Sequence, residues 1–291
     1  MSSLAVIEFT DPGCPWAYSA SPALSVLRWR YGDQLDWRMV TIGLTEDPQR
    51  YVELGYTPTR MAVGHVMFRR YGMPFAGEPR ARVAATGRAC RAIVAARRLQ
   101  PELERQVLRA LQFGWFNSTL VLDEDKDIAE ALSRVGGLDV DAVVAAIDDP
   151  ATSEAYEVDK SETRTAAGGA TELQGKARQT DGPVRFSAPS LVFESEGGVR
   201  MEAGGFQPVE AYDVLIANLA TTLERREPPE DPLEALRELP GGLCTQEVAA
   251  IMAQGNERPD RTAAERALIE LRGEGRVRRE ALGDDALWHL A

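Results

Sequence analysis

Apolar and polar positions at the beginning of the chain alternate in a pattern typical of a strand–helix–strand unit. Residues 4–9 (LAVIEF) form a short, β-prone apolar run, which predicts a buried strand. Apolar side chains then recur every three or four positions over residues 15–31, which predicts a helix, and residues 35–44 alternate as a second strand does. This order predicts a βαβ unit and therefore an α/β fold.

A long helical block follows the βαβ unit. Helical periodicity runs through residues 55–165, which include the alanine-rich segment 81–100. Residues 163–183 are polar and contain several glycines, so they predict a flexible connection. Two strand-like segments within residues 186–205 predict a β-hairpin, and the apolar positions over residues 207–223 predict a further helix.

The last part of the chain has a different pattern. The proline- and charge-rich segment REPPEDP (226–232) predicts a domain boundary, which divides the chain into residues 1–225 and 226–291. Three short helical patterns and two β-prone runs follow, an order that resembles a winged helix-turn-helix. Residues 256–280 carry seven arginines and six acidic residues, so their charge balance argues against DNA and favours a packing or protein-interaction role.

Composition and charge narrow the classes of partner. The chain of 291 residues has a formal net charge of −12, which argues against a nucleic acid or an anionic membrane as partner. No segment approaches the ~20 apolar residues of a membrane span, and the N-terminus lacks the pattern of a secretory signal, so we expect a cytoplasmic protein. Three scattered cysteines and two histidines give neither a disulfide framework nor zinc-type spacing, and no metal site is expected.

The segment DPGCPWAYS (11–19) places a cysteine where the first strand gives way to the helix. Backbone N–H groups at a helix start stabilise a thiolate and can lower the pKa of a cysteine from ~8.5 to ~3.5–7.5. We therefore predict that Cys14 is a nucleophile with a lowered pKa. Pro15 suits the first turn of the helix, and Trp16 is expected at the rim of the site, beside the sulfur.

Residues 4–18, with DPGCPWAY after a strand, resemble the active-site turn of the DsbA-like thioredoxin superfamily. The similarity is greatest to its cytoplasmic FrnE-type branch, which is related to the 2-hydroxychromene-2-carboxylate isomerases and the kappa-class glutathione transferases. The resemblance covers about residues 1–225 and implies a thioredoxin fold with a large helical insertion at about 55–165. The small winged-helix-like domain would follow this fold.

A proline later in the chain fits the same resemblance. Thioredoxin folds place a cis-proline opposite the active cysteine, just before the final hairpin. Ala188 and Pro189, which precede SLVFE, stand at that place, so the resemblance implies a cis bond between them. It also implies that the backbone of Ala188 faces Cys14 and can pair with an extended peptide or a glutathione-like ligand.

Ala17 departs from the family pattern. Redox members usually carry a second cysteine at this position, which resolves the mixed disulfide by thiolate attack, whereas the motif here is Cys-Pro-Trp-Ala. A mixed disulfide on Cys14 must then be released by an outside thiol or by another cysteine. Cys90 is predicted to be a core residue of a helix, and Cys244 is a remote candidate for the resolving role.

The leading hypothesis is a cytoplasmic thiol-dependent oxidoreductase that works through one catalytic cysteine, Cys14. Its substrate is a small thiol or disulfide, and glutathione or another low-molecular-weight thiol is the expected cofactor, with no covalently bound group. From the relatives, we expect Arg60 and His65 of the insertion at the substrate wall, where they could touch an anionic ligand. The surface for the substrate or thiol is expected to consist of Pro15, Trp16, Ala17, Ala188 and Pro189.

Two alternatives stay open. A glutathione-dependent isomerase or transferase would use Cys14 to orient the cofactor sulfur, as relatives do with a serine. A non-catalytic adaptor would bind a protein, or with less support from charge DNA, through a degenerate thioredoxin fold and the C-terminal domain. That domain could also mediate a homodimer. An adaptor should tolerate Cys14→Ser, whereas redox activity should not.

Overall fold

The described part of the chain comprises residues 3–180 and 182–291 of the computed structural model. Met1, Ser2 and Asp181 lie outside it, and Asp181 belongs to the predicted connection over residues 163–183. The rest of that connection contains a short helix and a bridge between Arg178 and Arg185. It therefore has more regular structure than its composition predicts.

A four-stranded sheet forms the centre of the first part of the chain. Strands β1 to β4 span Leu4–Thr10, Leu35–Thr41, Ser190–Glu194 and Arg200–Gly204. Their order is β2-β1-β3-β4, with β1 parallel to β2 and with β3 antiparallel to both β1 and β4. Leu4 and Val6 of β1 pack in one apolar cluster, and Ile7 and Phe9 pack in another on the opposite face. This two-sided burial explains why β1 is mostly apolar, with its buried Glu8 paired to Arg28.

The helix predicted over residues 15–31 is two helices in the structure. α1 spans Pro15–Ser19, and α2 spans Ser21–Tyr31. The prediction of one helix was wrong because Pro22 has no N–H group and cannot continue the hydrogen-bond pattern of α1. Pro22 instead occupies the first turn of α2, where that N–H group is not needed.

A helical block lies between β2 and β3, as the periodicity predicts. Small alanine side chains on the buried face of α5, such as Ala92 and Ala96, let the neighbouring helices approach closely. The helices of this block, α3 to α10, span Pro48–Glu53, Pro58–Met67, Gly87–Leu99, Glu104–Asn117, Asp125–Leu132, Val140–Ala145, Pro150–Thr163 and Ala170–Leu173. After β4, helix α11 spans Val209–Leu219. None of the helices in the described residues is long and apolar enough to cross a membrane.

The C-terminal part folds into three helices and a small sheet. Helices α12 to α14 span Pro232–Glu238, Thr245–Met252 and Arg261–Gly273. Strands β5 to β7 span Leu243–Cys244, Val277–Leu282 and Asp285–Leu290. Their order is β5-β7-β6, and both pairs are antiparallel. The three short helices and the closing hairpin therefore lie where the sequence pattern predicts them.

The C-terminal part packs directly on the rest of the chain. Val26 and Trp29 of α2 belong to the same apolar cluster as Leu233 and Leu268 of the C-terminal helices. Leu287 of β7 packs in the cluster of the helical block. The division into two domains at residue 226 stays a prediction, but the two parts share buried apolar contacts.

A buried ion pair joins three segments of the chain. Glu247 of α13 accepts hydrogen bonds from Arg109 of α6 at 2.7 and 2.8 Å. Its carboxylate also accepts from the hydroxyl of Ser25 on α2 and from the N–H of Cys244, both at 2.9 Å. Burial alone would raise the pKa of Glu247, but the Arg109 guanidinium holds it below its usual value. The charged carboxylate is therefore part of the folded state at neutral pH.

We expect Glu247→Ala to lower the free energy of unfolding by about 3–5 kcal/mol, because Arg109 would stay buried without its carboxylate. Urea denaturation followed by circular dichroism measures this loss. Because the folded-state pKa of Glu247 is lowered, its contribution should be present above pH 4.5, its usual pKa, and be lost as the pH falls further.

The control is Arg82→Ala, which breaks a partly exposed pair with Asp123. An exposed pair contributes at most about 1 kcal/mol. Equal losses in the two variants would contradict the importance assigned to the buried pair.

Candidate functional site

Asp11 orients the turn between β1 and α1. Its carboxylate accepts hydrogen bonds from the N–H groups of Gly13 and Leu44, both at 2.9 Å, and from the Thr86 hydroxyl at 3.0 Å. Burial raises the pKa of this carboxyl group despite the three donors. A Cβ atom on Gly13 would lie 2.5 Å from a Thr86 methyl carbon and 3.0 Å from the Trp115 ring, so the turn requires glycine here.

Cys14 lies at the N-cap position of α1, with its sulfur against the loop that precedes β3. Sγ donates a hydrogen bond to the carbonyl oxygen of Ala188 at 3.2 Å, and the Ala188–Pro189 peptide bond is cis. The residue is only 6% exposed. The structure thus brings Cys14 and Ala188 into direct contact, with Pro189 beside them.

The predicted lowering of the Cys14 pKa is wrong in this structure. Burial, together with the nearby Asp11 carboxylate, raises the pKa of the thiol to about 12. The backbone N–H groups of Ala17 and Trp16 and the charge of Arg185 lower it, but they do not offset the burial. The sulfur is therefore a protonated hydrogen-bond donor at neutral pH.

Ala17, where redox relatives usually carry a second cysteine, is also buried. It packs in the same cluster as Cys14 and lines a polar crevice of about 20 Å³. Cys90 and Cys244 are fully buried free thiols, and burial raises the pKa of both. A resolving role for either would require its sulfur to leave the core.

A cavity of about 410 Å³ adjoins the cysteine motif. Pro15 and Trp16 line it together with Arg60 and His65 of α4, so four of the predicted site residues share one cavity. Trp16 is 38% exposed, and its ring centroid lies 4.9 Å from that of Phe68, which also lines the cavity. Ala17, Ala188 and Pro189 are not among its described lining residues.

Two polar groups of the cavity are poorly solvated. Burial lowers the pKa of His65 to about 4, so its ring is neutral at pH 7. The indole N–H of Trp115 is buried and has no hydrogen-bond partner among the described residues. Arg60, in contrast, lies at the exposed edge and donates to the carbonyl oxygen of Gly55. The cavity thus offers a ligand one cation and a neutral imidazole, while the unpaired N–H of Trp115 is enclosed.

The lining of this cavity fits an apolar ligand better than glutathione. Glutathione carries two carboxylates and an ammonium group. Arg60 could pair with one carboxylate, whereas Tyr51, Tyr56 and Phe68 present aromatic rings, and the described lining has no carboxylate for the ammonium group. The described residues also contain no cluster of histidine, cysteine and acidic side chains that could hold a metal ion.

Sequence reasoning missed three contributors to the site. Asp11 lies in the segment DPGCPWAYS with no predicted role, although aspartate in a turn commonly bonds to backbone N–H groups. Thr86 and Trp115 lie far along the chain in the helical block, and no local pattern links them to the motif. Trp115 belongs to the core of the helical block and also lines the cavity.

Comparisons with known proteins match this fold. A family model described as "DSBA-like thioredoxin domain" matches residues 5–169, more than half of the chain. The cytosolic disulfide reductase DsbM from Pseudomonas aeruginosa is 19% identical, with a TM-score of 0.52 over 75% of this chain and 97% of that chain. Its structure with GSH is 20% identical, with a TM-score of 0.51 over 75% and 98%. The predicted thioredoxin-type α/β fold with helical content is confirmed.

A curated relative matches a longer part of the chain. The ClpXP adapter protein SpxH from Shouchella clausii (strain KSM-K16) is 26% identical over 267 residues, which are 89% of this chain and 80% of that protein. A match of this length must include residues beyond position 225.

We expect the ultraviolet absorbance of the Cys14 thiolate, measured against pH with Cys14→Ser as the blank, to give a pKa well above the ~8.5 of free cysteine. Alkylation of the folded protein at pH 7 should be about 100-fold slower than that of free cysteine, because the thiolate is scarce. Unfolding in urea should restore the ordinary rate. A pKa below ~8.5 in the folded protein would contradict the burial argument.

Proposed function

This chain belongs to the DsbA-like thioredoxin family of thiol–disulfide oxidoreductases, and from that premise we propose that it binds a partner protein as an adaptor instead of catalysing disulfide exchange. The adaptor would be cytoplasmic. Its partner would be recognised by the surface around the cysteine motif, while the C-terminal part would hold that surface in place.

The enclosure of the Cys14 sulfur and its hydrogen bond to Ala188 are the observations that carry this proposal. Its S–H group donates to the carbonyl oxygen of Ala188, and a thiolate would lose that bond and face the carbonyl dipole. With a pKa of about 12, the sulfur is protonated at pH 7. Because the thiolate is the species that attacks a disulfide, the resting site lacks an effective nucleophile.

The residue at position 17 supports the same conclusion. Ala17 supplies no thiol to resolve a mixed disulfide, and Cys90 and Cys244 are enclosed in the core. A dithiol cycle within one molecule is therefore not available to the described structure.

The similarity to an adaptor over most of the chain also supports the proposal. The relative named as a ClpXP adapter matches 89% of this chain, whereas the disulfide reductase DsbM covers 75%. We interpret residues 226–291 as a winged-helix-like module with a structural role. Its arginines Arg261, Arg276 and Arg278 pair with carboxylates, which leaves less positive charge for DNA.

A second candidate is monothiol disulfide exchange with a small external thiol such as glutathione. The contact between Cys14 and Ala188, beside a cis proline, favours it, because a disulfide substrate could pair with this backbone if Cys14 released its hydrogen bond. The substrate would then have to uncover the sulfur, since Cys14 is almost fully enclosed before binding.

Two measurements on the full chain test the adaptor proposal. In vitro, we expect reduction of hydroxyethyl disulfide by glutathione, and of insulin by a dithiol, to be no faster with the wild-type chain than with Cys14→Ser. In the native organism, deleting the gene should change the half-lives of a defined set of proteins, measured by quantitative proteomics after translation is stopped. Cys14→Ser should restore those half-lives as the wild type does.

Turnover well above that of Cys14→Ser would overturn the adaptor and establish the monothiol enzyme. Protein half-lives that stay unchanged after deletion, or that Cys14→Ser fails to restore, would also contradict the proposal. The variant is a suitable control because serine can donate the same hydrogen bond to Ala188 and differs from cysteine by one atom.

A further inference from the structure

Helix α4 lies over the cavity, but most of its own residues are exposed or only partly buried. Among its described residues, Ala62 alone is buried. Met61, Gly64 and His65 line the cavity and form the inner face of the helix. A helix of this length needs packing against other elements to be stable. The face of α4 opposite the cavity is the one without such packing.

The outer face of α4 is apolar. Val63 and Met67 are 62% and 61% exposed, and Val66 is exposed beside them. Their spacing of three and four residues places them in one row, named here the α4 strip. A helix that is apolar on both faces is normally buried on both, so the α4 strip is suited to a partner.

Two arginines bracket the α4 strip. Arg60 precedes Val63 by three residues on α4 and also lines the cavity. Arg70 follows Met67 by three residues, in the 3-10 turn Phe68–Tyr71 that follows α4. The described contacts of Arg60 are the Gly55 carbonyl oxygen and an aromatic ring, and Arg70 contacts a tyrosine. No ion pair between either guanidinium and a carboxylate is found in the described residues.

This region is basic within an acidic protein. Residues 50–82 carry six arginines and two glutamates, whereas the whole chain has a net charge of −12. Arg69 and Arg82 pair with carboxylates outside this segment, but Arg60 and Arg70 have no carboxylate partner among the described residues. Complementary charge selects partners and speeds their encounter. An acidic partner is therefore favoured at this surface and disfavoured over most of the remaining surface of the protein.

We propose that the α4 strip binds an acidic amphipathic helix of the partner protein, with carboxylates on Arg60 and Arg70. This inference rests on the adaptor function and names the chemistry of its partner. Ten residues of helical rise separate the two arginines by about 15 Å. The partner helix therefore has apolar residues at i, i+3 and i+4, flanked by acidic residues about three turns apart.

Charge disfavours two other occupants. A second copy related by twofold symmetry would bring one set of arginines against another if the strips met face to face. An anionic membrane would attract residues 50–82 but repel a chain whose net charge is −12. Both occupants are nevertheless outcomes of the experiment below.

The test measures binding of a fluorescein-labelled synthetic peptide to the full chain by fluorescence anisotropy. The peptide is a helix with leucines at i, i+3, i+4 and i+7 and a glutamate cluster at each end. One control peptide has the same residues in scrambled order, and another has lysine for every glutamate. We expect saturable binding of the first peptide and no comparable binding of the controls.

Val63→Glu and Val158→Glu form a matched pair of variants. Both valines are exposed on helices, at 62% and 61%, but Val158 lies on α9. Val63→Glu and the double variant Arg60→Glu, Arg70→Glu should each weaken the peptide's affinity about tenfold or more. Val158→Glu should leave the affinity unchanged, and circular dichroism should show every variant folded.

Several results would overturn the proposal. The lysine peptide could bind as tightly as the glutamate peptide, Val158→Glu could weaken the affinity as much as Val63→Glu, or the glutamate peptide could fail to bind. Dimerisation seen by sedimentation velocity and abolished by Val63→Glu would assign the strip to a second copy. Co-sedimentation with phosphatidylglycerol vesicles that Val63→Glu abolishes would assign it to a membrane.

The half-life assay separates this failure from failure of the adaptor function. If Val63→Glu restores protein half-lives in the deletion strain as the wild type does, the adaptor function is kept, and the α4 strip is overturned as the binding site for the partner. If deletion itself changes no half-life, the proposed adaptor function is overturned. The peptide measurement then decides independently whether the α4 strip binds an acidic helix.

Discussion

The hydrogen bonds of one buried carboxylate set the geometry of the site. Asp11 bonds to Gly13, Leu44 and Thr86, and these three residues all line the cavity beside the motif. The same side chain thus joins the cysteine turn, the loop after β2 and the start of α5. Its burial next to Cys14 also places negative charge where a thiolate would form, which raises the pKa of that thiol. Cavity geometry and sulfur chemistry therefore depend on the same group.

A thioredoxin-type fold does not by itself imply disulfide exchange, because function depends on the site and not on the fold. In this chain the cysteine and the cis proline are both present, but the sulfur is enclosed and bonded to Ala188. The nearby aromatic cavity and the outer row of α4 present more accessible surface than the sulfur does. This distribution of exposure supports the proposed adaptor function.

The C-terminal part is joined to the elements around the site, because the buried carboxylate of Glu247 connects it to α2 and α6. α2 follows the cysteine motif directly, and α6 carries Trp115, which lines the cavity. A pair of opposite charges that bridges three segments holds them in one arrangement, because separating them would leave a charge buried without its partner. The C-terminal part therefore supports the elements that form the site.

The sequence alone determined the order of elements, because the periods of two and three to four residues are local properties of the chain. Its residue types also located the cysteine turn, and the resemblance to the DsbA-like family located the proline opposite that turn. Only the tertiary structure decided the protonation state of Cys14, because desolvation depends on residues from distant segments that cover the sulfur. It likewise decided that Thr86 and Trp115 meet the motif. Local pattern encodes which elements form, whereas packing between distant segments sets the electrostatics of the site.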